Sequence, residues 1–169
     1  QKLGQSVWFD FIRRSLVTSG ELKALVAQGV RGVTSNPAIF EKAIAGSSDY
    51  DEEIKALAKS GSSVEALYET LAIRDIQLAA DELAPVYRST GGRDGYVSLE
   101  VSPFLASDAG GTVAEAKRLF ETVGRPNLMI KIPATAESLP AVTESIAAGV
   151  NVNVTLIFGL ENYKAVADA

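Results

Sequence analysis

The sequence predicts an α/β fold with parallel strands, and three observations point to it. Five short apolar runs, rich in β-branched and aromatic residues and bounded by turn residues, read as strands. The amphipathic segments between them open on capping signals and close on glycines. Strand and helix alternate, with one additional helix after the second strand, and that order requires crossover connections between parallel strands. A chain of 169 residues, 47% hydrophobic and 22% charged, is long and apolar enough to bury a real core, which excludes a disordered chain.

The first run is Ser6 to Ile12. A capping box at Thr18-Ser19-Gly20-Glu21 then starts a helix that Gly29 should stop. The second run is Gly32 to Asn36. The long interval from Pro37 to Asp94 holds a helical segment around Asp49 to Ser60 and a long helix opened by Ser62-Ser63-Val64-Glu65. Val64, Leu67, Leu71 and Leu78 share one face of that helix, and Pro85 should bend or end it near Val86. The third run is Gly95 to Phe104, followed by a capping box at Thr112-Val113-Ala114-Glu115 and a stop at Gly124. The fourth is Asn127 to Ala134, with a helix that Gly149 should end. The fifth is Val150 to Phe158, followed by a helix still running at Ala169. The glycine pairs Gly91-Gly92 and Gly110-Gly111 read as turns, since no phosphate-binding glycine spacing follows a strand.

Parity along the strands narrows the architecture, because successive side chains face opposite sides of a sheet. Asn151, Asn153 and Thr155 oppose Val152, Val154, Leu156 and Phe158; Ser98, Glu100 and Ser102 oppose Val97, Leu99 and Val101. Lys131 shares a parity with Met129 and Pro133, opposite Leu128, Ile130 and Ile132, and the first run ends its apolar stretch on Asp10. A doubly wound sheet, covered by helices on both faces, would read apolar on both parities. One polar parity instead fits the inward side of a parallel (β/α) TIM-type barrel near its mouth. A closed barrel takes about 250 residues, so the expectation is that 1–169 is a single incomplete barrel domain supplying about the first five βα units, with a helical insertion at about 37–94. The absence of an initial Met and the end in mid-helix suggest a piece of a longer protein.

Composition limits the chemistry. Sixteen Lys+Arg against 21 Asp+Glu give a net charge of −5, which argues against nucleic acid or an anionic membrane as partner. No apolar run reaches the roughly 20 residues of a membrane span, and Gln1 to Gln5 does not build a signal peptide, so a cytoplasmic protein is expected. With no His and no Cys, imidazole bases, thiol nucleophiles, disulfides and His or Cys metal sites are excluded. Lys, carboxylate, hydroxyl and amide chemistry remain.

Lys131, set in Leu128-Met129-Ile130-Lys131-Ile132-Pro133, therefore needs a reason to be buried. One reason is a structural ion pair with Asp10 or Glu100. The other is nucleophilic: a Lys amine that has shed its proton attacks a ketone, and the Schiff base becomes an electron sink for cleaving a carbon–carbon bond. Such chemistry needs a carboxylate to move protons through a water, and hydroxyl or amide groups to hold that water and the substrate hydroxyls. Glu100 and Thr155 suit the first task, Asn36 and Asn153 the second.

The stretches Ser6–Ile12, Gly32–Lys42, Val97–Pro103, Asn127–Thr135 and Asn151–Phe158 closely resemble transaldolase in its longer bacterial form, and the resemblance runs across essentially the whole chain. It implies the N-terminal part of a cofactor-independent (β/α) barrel of the pentose phosphate pathway. That family transfers a dihydroxyacetone unit from sedoheptulose 7-phosphate to glyceraldehyde 3-phosphate. By motif, Lys131 resembles the Schiff-base lysine, Glu100 the carboxylate acting through the catalytic water, and Thr155 the hydroxyl positioning that water. Asp10 resembles the acid/base for bond cleavage, and Asn36 and Asn153 the substrate-holding amides; Thr34 and Ser35 either join them or satisfy the turn before Pro37. The family's later strands, with a serine and the arginines that grip phosphate, have no counterpart here. Arg13, Arg14 and Arg31 read instead as surface charges flanking helices. The expected partners are sugar phosphates and the remainder of the barrel, on another chain or outside this sequence. A class I aldolase releasing a free ketone, and a silent barrel fragment in which Lys131 is only ion-paired, are the alternatives.

Overall fold

In the computed structural model, residues 3–169 are described. The strands are β1 (Val7–Phe9), β2 (Val30–Thr34), β3 (Tyr96–Glu100), β4 (Leu128–Pro133) and β5 (Val152–Thr155). The helices are α1 (Arg14–Thr18), α2 (Glu21–Gln28), α3 (Pro37–Ala45), α4 (Asp51–Lys59), α5 (Val64–Ser89), α6 (Ala109–Val123), α7 (Leu139–Ala147) and α8 (Leu160–Asp168). The fold is α/β, and the strands take the order β1-β2-β3-β4-β5 in the sheet. β1 pairs with β2, and β4 with β5, in parallel. A doubly wound sheet reverses its strand order at a switch point. Here chain order and sheet order coincide, the pattern of successive βα units of a (β/α) barrel.

Contacts cluster into two compact units, one up to Val97 and one over Ser98–Ala169. In the first, Ile12, Leu22, Val33, Phe40, Ile76 and Leu83 are fully or almost fully buried. Trp8 lies opposite Gly32 across β1 and β2, where any side chain at position 32 would strike the indole. In the second, the apolar parity of β4 is fully buried at Leu128, Ile130 and Ile132, joined by Leu119 and Val123 of α6 and Val142 of α7.

Several elements depart from the sequence reading. The first β1–β2 connection contains a short α1 before α2, and α2 starts at Glu21 behind a left-handed Gly20 rather than on a Thr18 cap. Asn36 does not simply end a strand. It caps a further helix, α3, with Pro37 at its first position, where a missing N–H costs nothing. α5 is capped by Ser63, whose hydroxyl accepts from Ala66 N at 3.2 Å. Its buried face runs through Leu71, Asp75, Ile76, Ala79 and Leu83, while Val64 is exposed. It passes through Pro85 and ends at Ser89, three residues beyond Val86. α6 starts at Ala109, earlier than the Thr112 box, because Asp108 accepts from Gly111 N at 2.9 Å. Gly110 and Gly111 thus lie in its first turn. Gly29 and Gly124 cap their helices in left-handed conformation, as expected.

β1, β3 and β5 end three or four residues before their apolar runs do. β3 gives way at Pro103–Leu105 to a 3-10 turn, as a residue lacking an N–H must leave the ladder. β5 stops where Leu156 turns left-handed at φ 65, a conformation that costs an L side chain about 1–2 kcal/mol.

Candidate active site

The second unit brings the polar parity of its strands together. Ile130 and Ile132 of β4 point into the apolar layer, which leaves Lys131 on the other face. Its side chain is 11% exposed and its Nζ lies 3.4 Å from Glu100 Oε2 at the end of β3, whose side chain is 16% exposed. Across β4 and β5, Lys131 pairs in register with Asn153, and Pro133 with Thr155. Asn153 Nδ2 donates to the hydroxyl of Ser98 at 2.8 Å. Ser98, Glu100, Lys131 and Asn153 therefore form one polar surface, and Thr155, two residues beyond Asn153, continues its parity.

The surroundings hold this surface in place. The Thr135 hydroxyl donates to Ala106 O at 2.8 Å, tying the end of β4 to the turn after β3. Ala134 N donates to Thr155 O at 2.8 Å, and Asn162 Nδ2 of α8 reaches Ala134 O at 2.9 Å. A carboxylate 3.4 Å from an amine can form an ion pair with it and is close enough to exchange a proton with it. Ser98 carries no role in the sequence reading, yet it is fully buried and fixes the Asn153 amide. Its shared parity with Glu100 was the available signal.

The remaining candidates lie in the first unit. Asp10 follows directly on β1 and is exposed. Thr34 closes β2 with its hydroxyl buried and, among the described residues, without a hydrogen-bond partner, and Ser35 is fully buried. Asn36 Oδ1 accepts from Ile39 N at 2.9 Å, which caps α3. This leaves Asn36 with its Nδ2 donor for other work.

Two of the arginines are not the surface charges expected. Arg14 is bound through Nη1 to Glu53 at 2.8 Å and through Nε to Asp75. Burial would lower its guanidinium, but the hydrogen bonds to Asp75 and Glu53 outweigh that and raise it. Arg31 spends its Nη1 on the carbonyls of Val26 and Val30, at 3.0 and 2.9 Å. Both arginines are engaged in structure. Among the described residues, no group of three or more His, Cys, Asp and Glu is placed to hold a metal ion, and no helix is long and apolar enough to cross a membrane.

Residues 7–169 match the family model described as Transaldolase/Fructose-6-phosphate aldolase. The chain is 53% identical over 164 residues to a protein named transaldolase from Trichodesmium erythraeum, covering 96% of this chain and 43% of the relative. It is 56% identical over 167 residues to the transaldolase of Thermobifida fusca, covering 98% and 45%. With the transaldolase of Neisseria gonorrhoeae the figures are 51% over 156 residues, covering 92% and 44%. The chain thus spans less than half the length of the relatives it matches.

Proposed function

The chain belongs to the transaldolase/fructose-6-phosphate aldolase family, and on that premise we propose that it carries the covalent centre of a transaldolase, with Lys131 as the Schiff-base nucleophile. The observation that carries the reading is the Lys131 amine, nearly buried on a strand and 3.4 Å from Glu100. In this account Lys131 Nζ attacks the ketone of a sugar phosphate and water leaves. The resulting iminium accepts the electron pair of the bond between its α and β carbons, while Asp10 takes the proton of the β-hydroxyl and an aldehyde departs. The bound enamine then adds to an acceptor aldehyde, and water releases the product. Glu100 moves protons through a water that Thr155 positions, and Asn36 and Asn153 hold substrate hydroxyls, with Thr34 and Ser35 beside Asn36. The substrates are those of the pentose phosphate pathway, in the cytoplasm, and the rest of the barrel, with the phosphate grip, comes from this protein's other residues or another chain.

The test is a transfer assay on the full-length protein. Fructose 6-phosphate with erythrose 4-phosphate should yield sedoheptulose 7-phosphate. Free dihydroxyacetone as the main product would mean an aldolase instead. Lys131→Ala should abolish turnover, and normal turnover in that variant would show another nucleophile. Glu100→Gln should slow turnover and let the covalent adduct accumulate. A second reading, in which Lys131 and Glu100 are only a structural ion pair, draws on the same 3.4 Å contact. It predicts that Glu100→Gln lowers stability without changing the rate of a folded protein.

A further inference from the structure

A polar cluster in the first unit is left unused by the chemistry above. Asp75, in the middle of α5, is fully buried and lies on the apolar face with Leu71, Ala79 and Leu83. It accepts from Arg14 Nε, and from the Tyr50 hydroxyl at 2.7 Å. The same Tyr50 oxygen accepts the backbone N–H of Arg14 at 3.0 Å, and the guanidinium lies over the Tyr50 ring, 5.3 Å from its centroid. Glu53 of α4 takes the other side of Arg14. One residue on, Ser15 N donates to Asp49 Oδ2 at 3.0 Å, and Arg13 Nε stands 3.4 Å from that same oxygen. Three consecutive residues, 13–15, are therefore gripped by Asp49, Tyr50 and Glu53, at the start of α4, and by Asp75 of α5.

Stability alone is a weak reason for this arrangement, because well-packed apolar residues often serve as well as a buried ion pair. The grip also falls on the backbone. The amides of Arg14 and Ser15 are the first of α1, where a helix leaves its N–H groups without internal partners. Tying them to Tyr50 and Asp49 fixes where α1 begins. The preceding connection, Asp10 to Arg13, is then held at both ends, by β1 at Phe9 and by the clamp, with Ile12 buried between them. Burial and the Asp75 carboxylate that accepts from it push the Tyr50 phenol up.

We propose that Tyr50 and Asp75 are positioning residues for Asp10: through Arg14 and the first amides of α1 they fix the β1–α1 connection that carries it. This rests on the reading of Asp10 as the acid/base of bond cleavage. It also gives the helical segment between β2 and β3 a task in that reaction.

The experiment uses Tyr50→Phe in the full-length protein, alone and with Asp10→Asn. The readouts are kcat, KM, melting temperature and borohydride trapping of fructose 6-phosphate on Lys131. Tyr50→Phe should lower kcat by about tenfold, the scale of a small misplacement of a catalytic group. KM should stay within about twofold, and trapping should persist, because the Schiff base forms before the bond is cleaved. On top of Asp10→Asn it should cost nothing further. An unchanged kcat, or a loss that multiplies in full with that of Asp10→Asn, overturns the proposal. Should Tyr50→Phe fail to fold, Asp49→Ala, which frees only the Ser15 amide and Arg13, is read by the same criteria. Absence of any Lys131 adduct in the wild type overturns the transaldolase reading and this proposal with it. An adduct together with an unaffected Tyr50→Phe overturns the positioning alone.

Discussion

Gly32→Ala tests the packing that carries β1, and with it Asp10. A Cβ built on Gly32 would lie 2.8 Å from Trp8 Nε1 and closer still to two ring carbons, where 3.4–4 Å is ordinary contact. Gly32 is not in the left-handed region, so the cost is contact alone. The β2 backbone is fixed by its pairing with β1, and the indole must withdraw by roughly an ångström or rotate out. Overpacking of this kind costs about 1–3 kcal/mol. At about 2 kcal/mol, the melting temperature of a domain this size falls by roughly 4–8 °C. Thermal melts would show the loss, and peptide-resolved hydrogen exchange would place it in Val7–Phe9 and Val30–Thr34. A double-mutant cycle isolates the cause. In a Trp8→Val background, Gly32→Ala should cost less than about 0.5 kcal/mol. An unchanged melt, or an equal cost without the indole, would show that the Trp8 contact does not restrict position 32.

The glycine pair at the start of α6 should split. Gly110→Ala, whose Cβ meets nothing nearer than 3.7 Å, should stabilise by about 0.5–1 kcal/mol in thermal melts. Gly111→Ala, whose Cβ meets the Asp108 carboxylate at 2.5 Å, should destabilise by about 1 kcal/mol through the lost cap. Ile132→Ala removes a fully buried side chain beside Lys131 and should cost about 3 kcal/mol by denaturant titration. The hydrogen bond with Ser15 holds the Asp49 carboxyl below the usual carboxylate range. Its contribution is then complete above that range and is lost as the pH falls through its lowered folded value. Asp49→Asn should therefore lower stability at pH 7, with the difference from the wild type shrinking as acid titrations pass below the usual carboxylate range; a difference constant across pH would contradict this.

What could be read from the sequence was what local pattern encodes. Alternation placed Ser98 and Glu100, Lys131, and Asn153 on one parity, and their contacts in the second unit follow from it. Helix limits were less legible: α6 is capped by Asp108, four residues ahead of the Thr112 box, and α3 is capped by Asn36 with Pro37, outside the hydroxyl–carboxylate pattern. The Arg14 clamp was missed because it joins residues up to 61 apart in sequence, and no local period reports that. Its one trace was Asp75, an acid four residues after Leu71 on an apolar face. The cost of burying a carboxylate there is a reason to look for a partner.

Lys131 is expected to form a covalent bond with a ketose phosphate. Incubating the full-length protein with fructose 6-phosphate, reducing with borohydride and sequencing the peptides by mass spectrometry tests it directly. A reduced three-carbon adduct is expected on Lys131 and absent in Lys131→Ala. No adduct, or one on a different lysine, would contradict it.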